Sequence, residues 1–181
     1  FVPGSACPTW EQTIARAFNG DSELIAYWQK GTGLCLTGLT GEQALFFLYG
    51  AGRNGKTTIV EAVLTMMGDY AVKMRAESLL MRNHDGIPND IAALLGARLV
   101  VASELPQGRQ LNESLVKDLT GGDTITARLL YREGFSFSPT FKLLMYGNHK
   151  PEIKGGDDGI WRRVRMLPFE VQIPEAEVDK D

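Results

Sequence analysis

The stretch LFFLYGAGRNGKTTIVEAVL, residues 45–64, decides the fold. Gly50, four further residues and then Gly55-Lys56-Thr57 satisfy GxxxxGK[ST], the pattern of a loop that binds nucleotide phosphates. Such a loop requires an apolar strand before it and a helix after it. Residues 44–50 and 56–68 have those two patterns. The stretch therefore predicts a nucleotide site in an α/β protein.

The predicted phosphate loop, residues 50–57, depends for phosphate binding on its glycines and on the helix that follows. Glycines let the backbone turn tightly, so that amide N–H groups converge on phosphate oxygens, and the helix adds the positive end of its dipole. We expect Lys56 to reach the β- and γ-phosphates and the Thr57 hydroxyl to bind Mg²⁺.

The rest of the chain alternates short apolar runs with helical patterns. Apolar strands that do not alternate, separated by helices, predict a central parallel sheet flanked by helices. The predicted strands are 44–50, 71–76, 97–104, 140–148 and 161–171, with helices at 56–68, 87–96 and 112–122. Residues 124–139 predict an inserted β-hairpin around the sequence REG.

The first forty residues form a small helical lead-in. Helical spacing covers 9–18 and 21–30, with Thr9 and Asp21 as expected N-caps. The sequence GTG at 31–33 is expected to end the second helix. We divide the chain into the lead-in, 1–40, and a phosphate-loop domain, 41–181.

Composition limits the possible functions. A formal charge of −3 argues against a protein coated in positive charge for nonspecific nucleic-acid binding. Cys7 and Cys35 lack metal-ligand spacing and predict two reduced thiols in a cytosolic protein. No apolar run approaches the roughly 18 residues that cross a bilayer, and the first residues lack the pattern of a signal peptide. We expect the chain to be a fragment of a longer one.

Polar residues end two of the predicted strands. Glu104 ends 97–104, where a carboxylate could orient Mg²⁺ or polarise the attacking water; the alternative is an exposed strand-end carboxylate. Asn148 ends 140–148 and could hold the water near the γ-phosphate; the alternative is a turn-forming asparagine.

Three arginines, Arg162, Arg163 and Arg165, lie close together in DDGIWRRVRMLPF, residues 157–169. A surface strand could carry such charges. The functional alternative is an arginine finger, supplied to the γ-phosphate of a neighbouring subunit.

Five blocks of the sequence follow one another in a fixed order: IAYWQKGTGLCLTG, GAGRNGKTT, RLVVASELPQGRQLNESLVKDLTGGDTITAR, FSFSPTFKLLMYGNHKP and DDGIWRRVRMLPF. Taken together, these blocks resemble the superfamily 3 helicases, in particular the ATPase domain of phage, plasmid and poxvirus primase-helicases. The resemblance implies a P-loop NTPase fold of AAA+ type, an ATP-dependent DNA helicase, and ATP with Mg²⁺ as ligands.

The resemblance also implies roles for individual residues. Glu104 matches the catalytic carboxylate, which would also bind Mg²⁺ with Thr57. Lys56 and Asn148 complete the catalytic set within the chain, and Arg163 matches the trans arginine, with Arg162 its rival. The implied ATP-binding residues are Gly50, Ala51, Gly52, Arg53, Asn54, Gly55, Lys56, Thr57 and Thr58.

The hairpin falls where the family places its pore hairpin, which grips DNA phosphates. The implied DNA-binding residues are Arg128, Tyr131, Arg132 and Lys142. The resemblance implies a hexameric ring on single-stranded or forked DNA, a primase domain earlier in the parent chain, no membrane, and a phage or mobile element in a bacterial cytoplasm. Two other functions remain open: a small-molecule kinase and a non-catalytic nucleotide-dependent scaffold.

Overall fold

The computed structural model describes residues 2–81, 89–103, 108–129, 131–154 and 158–177. Within these ranges, the strands are β1 Leu45–Tyr49, β2 Ala71–Arg75, β3 Leu99–Ser103, β4 Ile125–Arg128, β5 Gly134–Phe137, β6 Lys142–Gly147 and β7 Val164–Pro168. Five parallel strands form one sheet in the order β2-β3-β6-β1-β7, and β4-β5 form an antiparallel hairpin. The α-helices are α1 Pro8–Ala17, α2 Ser22–Cys35, α3 Lys56–Met67, α4 Glu113–Gly121 and α5 Asp158–Trp161. The predicted α/β architecture with a central parallel sheet is confirmed.

The sheet is buried on both faces, which explains why its strands do not alternate apolar with polar residues. In β1, Phe47 packs on one face against residues of α4 and the hairpin, whereas Phe46 and Leu48 pack on the other. All three side chains are at most 5% exposed. A strand covered on both sides needs apolar residues at every position.

The helical lead-in completes the second face of the sheet. Ile14, Phe18 and Trp28 of the lead-in share a buried cluster with Leu48 and Phe169. The Phe18 and Phe169 rings lie 4.8 Å apart between centroids. The division at residue 40 stays a prediction, although residues from both sides of it form this common core.

Two of the expected helix limits are wrong. Helix α2 continues through 31–33 to Cys35, and Gly31 lies against the sheet, where a Cβ would come 3.0 Å from the Phe46 ring. That glycine allows helix and strand to approach closely instead of ending the helix. Helix α1 begins at Pro8 rather than after a Thr9 cap, because proline fits the first turn, where its missing N–H costs nothing. The Asp21 cap is confirmed: its carboxylate accepts from the N–H groups of Glu23 and Leu24.

The hairpin is amphipathic. Ile125, Ala127 and Phe137 are buried, whereas Thr126 and Arg128 between them are exposed. The predicted short helix at 87–96 is instead a 3₁₀ helix, Asn89–Leu94, against which β4 packs; residues 87 and 88 lie outside the described ranges. The apolar side of the hairpin is thus anchored to the domain.

Both cysteines are free, Cys7 exposed and Cys35 buried. Burial raises the pKa of the Cys35 thiol to about 11. In the parts of the chain that are described, no helix is long and apolar enough to span a bilayer.

Candidate functional site

Three parallel strands end at one edge of the sheet and place the candidate site there. Tyr49, the last residue of β1, pairs with Gly147 of β6, and Ser103 of β3 pairs with Tyr146. The phosphate loop leaves β1 at this edge, and Asn148 follows β6 at the same edge. Parallel topology thus brings together residues that lie about a hundred positions apart in the chain.

A cavity of about 600 Å³ lies at this edge. Seven of the nine predicted nucleotide-binding residues line it, together with Asn148. The lining residues are Gly52, Arg53, Asn54, Gly55, Lys56, Thr57, Thr58, Tyr146, Gly147, Asn148 and His149. Tyr146, Gly147 and His149 are not predicted from the sequence as site residues, although they adjoin the predicted site residue Asn148.

Lys56 begins α3, and its side chain folds back onto the phosphate loop. Its ammonium donates to the Gly50 carbonyl at 2.7 Å, the Ala51 carbonyl at 3.2 Å and Asn54 Oδ1 at 2.9 Å. The residue is 5% exposed, and burial lowers the pKa of its ammonium. The three donors of the ammonium are therefore held by the loop that is predicted to bind phosphate.

The phosphate loop is held in place by the segment that follows β7. The Phe169 N–H donates to the Tyr49 carbonyl, and the Ile173 N–H to the Arg53 carbonyl, both at 2.7 Å. The Phe169 carbonyl in turn accepts from Asn54 Nδ2 at 2.9 Å. Nothing in residues 169–173 signals this role, because most of the contacts use backbone atoms, which any sequence supplies.

The close approach of the two segments requires glycine at position 50. Gly50 has φ 150°, and a Cβ there would lie 2.0 Å from the Phe169 carbonyl oxygen. We expect Gly50→Ala to lower the free energy of unfolding by about 3 kcal/mol, because backbone atoms must separate to admit the methyl group. Urea unfolding monitored by circular dichroism measures this change.

Gly52→Ala is the matched control for Gly50→Ala. A Cβ at Gly52 meets no atom within 4 Å. We expect its unfolding free energy to stay within about 0.5 kcal/mol of wild type. Equal stabilities of the two variants would contradict the close packing of Gly50 against Phe169.

Thr57 and Glu104 are the residues that the sequence predicts to bind Mg²⁺. Glu104, the predicted catalytic carboxylate, lies outside the described residues, directly after β3. The hydroxyl-bearing residues Thr57 and Thr58 are exposed at the cavity. Across the ranges that the structure covers, no group of three or more His, Cys, Asp or Glu side chains could hold a metal by itself. A hydroxyl beside a phosphate loop suits an Mg²⁺ that arrives with its nucleotide.

The two arginine-finger candidates lie in different environments. Arg163 is 7% exposed; its Nε donates to Thr120 Oγ1 at 3.1 Å and a terminal nitrogen donates to the Gly159 carbonyl at 2.5 Å. Arg162 is exposed and donates to Gln43 Oε1 at 3.1 Å. An arginine finger must extend into the site of a neighbouring subunit, which an exposed guanidinium can do more readily than a buried one. This placement therefore favours Arg162 over Arg163 as the finger.

The predicted DNA-binding residues also differ in their exposure to solvent. Arg128, Tyr131 and Arg132 are exposed at the end of the hairpin, and Tyr131 is 96% exposed with φ 61°. Lys142 is 2% exposed at the start of β6, where its ammonium donates to the Thr37 carbonyl at 3.1 Å. Its burial argues against a DNA contact.

The chain is similar to proteins of several viruses. It is 36% identical over 137 residues to "Putative helicase L207/L206" of Acanthamoeba polyphaga mimivirus, covering 75% of this chain and 14% of that protein. It is 34% identical over 150 residues to "Putative helicase 022R" of Frog virus 3, covering 80% of this chain and 15% of that protein. It is 32% identical over 135 residues to "Putative primase C962R" of African swine fever virus (isolate Warthog/Namibia/Wart80/1980), covering 72% of this chain and 14% of that protein. The chain thus spans 14% or 15% of the length of these curated relatives.

Solved structures share the fold. The A form apo structure of the NrS-1 C-terminal region superposes with a TM-score of 0.71 at 11% identity, covering 92% of this chain and 38% of that one. Residues 48–163, from β1 through the phosphate loop and hairpin to Arg163, match the model of a family described as "Family of unknown function (DUF5906)". This chain therefore belongs to the DUF5906 family.

Proposed function

We propose that this chain is the ATPase motor of a superfamily 3, AAA+ type DNA helicase that acts in replication. The observation that carries the proposal is the cavity between the phosphate loop and the end of β6, where Lys56, Thr57 and Asn148 meet. The relatives named as helicases and primases support a role in replication and a primase in the parent chain. The phage or mobile element, the bacterial host and the cytoplasmic location stay predictions.

The residues at the cavity suit a nucleoside triphosphate. The N-terminus of α3 and the loop amides would bind the phosphates, and Lys56 would neutralise part of their charge. Thr57 would hold Mg²⁺, which supplies further positive charge to the phosphate oxygens when it is bound. Asn148 would orient the attacking water, and Glu104 keeps its predicted role as the group that polarises it.

The hairpin is the proposed contact with DNA. Its apolar side is anchored against the domain, while Arg128, Tyr131 and Arg132 are exposed at the far end. In a ring of six copies, the two arginines of each hairpin would concentrate positive charge in the pore, although each chain carries a net charge of −3. Exposed tyrosine offers a face on which a base can stack without reading sequence.

We expect Arg132→Ala to weaken binding of single-stranded DNA and to make that binding less sensitive to salt. The slope of log affinity against log salt concentration should become shallower by about one unit for each arginine that no longer meets a phosphate. The reason is that an arginine at a phosphate releases about one counterion. Fluorescence anisotropy with a labelled oligonucleotide across a series of salt concentrations measures both quantities.

Lys30→Ala is the control for the hairpin variant. Lys30 is exposed on α2, so its replacement removes one positive charge away from the hairpin. We expect it to leave both affinity and slope near wild type. Equal losses in the two variants would show that net charge, and not the hairpin, determines binding.

The test of the proposed function measures ATP hydrolysis against protein concentration, with and without single-stranded DNA, using the longest natural chain. A rise in specific activity with concentration and with DNA supports the helicase. Phosphate transfer to a small acceptor would instead show a kinase. ATP binding without turnover at every concentration would show a nucleotide-dependent scaffold.

A further inference from the structure

We propose that Asn54 is a positioning residue, which holds Lys56 at the phosphate site by tying the loop to the segment after β7. The inference rests on the proposed nucleotide site but not on helicase activity. Its starting point is that Asn54 is a buried polar residue at the centre of the loop, 3% exposed, with hydrogen bonds from both ends of its amide.

The Asn54 amide connects three parts of the chain. Oδ1 accepts from the Lys56 ammonium at 2.9 Å, whereas Nδ2 donates to the Phe169 carbonyl at 2.9 Å and also to the Ala51 carbonyl. A side-chain amide offers an acceptor on one atom and two donors on the other, which matches these partners. Alanine at this position would leave two carbonyls without this donor and the ammonium without one acceptor.

The acceptors of Lys56 explain why this bridge matters for binding. Two are backbone carbonyls of the loop, Gly50 and Ala51, and the third is Asn54 Oδ1. Phe169 in turn holds Asn54 through its backbone carbonyl, which accepts from Asn54 Nδ2. The amide is neutral, so it can orient the ammonium without cancelling the charge that phosphate needs.

The experiment titrates the nonhydrolysable analogue adenylyl imidodiphosphate, with Mg²⁺, into wild type, Asn54→Ala, Lys56→Met and the double variant. We expect Asn54→Ala alone to weaken binding about tenfold, the scale of one hydrogen bond to a charged group. In the Lys56→Met background the same change should cost less than about threefold, since no ammonium remains to be positioned. The same cycle is followed by urea unfolding without nucleotide, where the two residues should again be coupled.

Asn112→Ala is the matched control, because Asn112 also uses its side chain structurally, accepting from the Leu115 N–H at the start of α4. It should lower the unfolding midpoint while leaving the analogue's affinity within about twofold of wild type. If Asn54→Ala does not fold, Asn54→Ser takes its place in the cycle. If Lys56→Met binds too weakly to titrate, the coupling in unfolding decides.

The outcomes separate the two proposals. Wild-type protein that fails to bind the analogue overturns the nucleotide site, and with it the role of Asn54 in binding. Wild-type binding with equal effects of Asn54→Ala in both backgrounds overturns the positioning role alone, as does the absence of coupling in unfolding. The nucleotide site stands in that second case.

Discussion

Lys56→Ala is expected to weaken binding of an ATP analogue by at least about a hundredfold and to reduce hydrolysis by about a thousandfold or more. The ammonium is the one positively charged side chain at the start of α3, and it sits within the loop that would enclose the phosphates. Alanine removes both the charge and its hydrogen bonds. Calorimetric titration and phosphate release measure the two effects.

Lys30→Ala controls for the loss of one lysine, because Lys30 is exposed and does not line the cavity. Its affinity and turnover should equal those of wild type. Lys56→Ala should unfold at a denaturant concentration close to that of wild type, since relief of the buried charge and loss of its hydrogen bonds act in opposite directions. Normal hydrolysis by Lys56→Ala would exclude this cavity as the ATPase site.

Arg162→Ala is expected to reduce ATP hydrolysis about a thousandfold while leaving nucleotide affinity and unfolding unchanged. Its guanidinium is exposed and has one described partner, Gln43, so removing it costs the fold little. In the proposed ring it would stabilise charge at the neighbouring copy's γ-phosphate only during the reaction. Steady-state turnover and analogue titration separate the two effects.

A mixing experiment shows whether the arginine acts on a neighbouring copy. Arg162→Ala has an intact phosphate loop, and Lys56→Ala has an intact arginine. Mixing the two inactive variants should restore part of the activity if the arginine acts in trans. No recovery from rings that demonstrably contain both variants would contradict the trans role.

Arg163→Ala provides the comparison within the same segment. Its buried guanidinium bonds to Thr120 and Gly159, so its loss should reduce the unfolding free energy by about 2 kcal/mol. If Arg163→Ala folds normally and loses turnover, whereas Arg162→Ala does not, the finger is Arg163, as the family resemblance implies.

The sequence predicted those parts of the fold that depend on local pattern. Strands β1 and β6 are buried on both faces, so each is an apolar run in the sequence and can be predicted from it. The glycine spacing predicts the phosphate loop. Their ends meet because the sheet is parallel, so the placement of Asn148 beside the loop followed from topology.

What the sequence could not predict depends on packing between distant segments. Glycine is typical of a helix end, but Gly31 lies within α2 and packs against the Phe46 ring. Arg163 and Lys142 look like surface charges, yet both are buried and donate hydrogen bonds to Thr120 and Thr37. The Phe169 contact with Asn54 uses a backbone carbonyl, which leaves no trace in residue identity.

The hydrogen bonds of the Lys56 ammonium go to residues of the phosphate loop, which affects which anions the site would bind. An incoming anion must compete with the Gly50 and Ala51 carbonyls for the same ammonium. A lone sulfate or inorganic phosphate would gain little binding free energy from that exchange. A polyphosphate would in addition accept hydrogen bonds from the loop amides and from the N-terminus of α3. At the proposed nucleotide site, the loop would therefore discriminate by the number of phosphates: abundant small anions would be poor competitors of a nucleoside triphosphate.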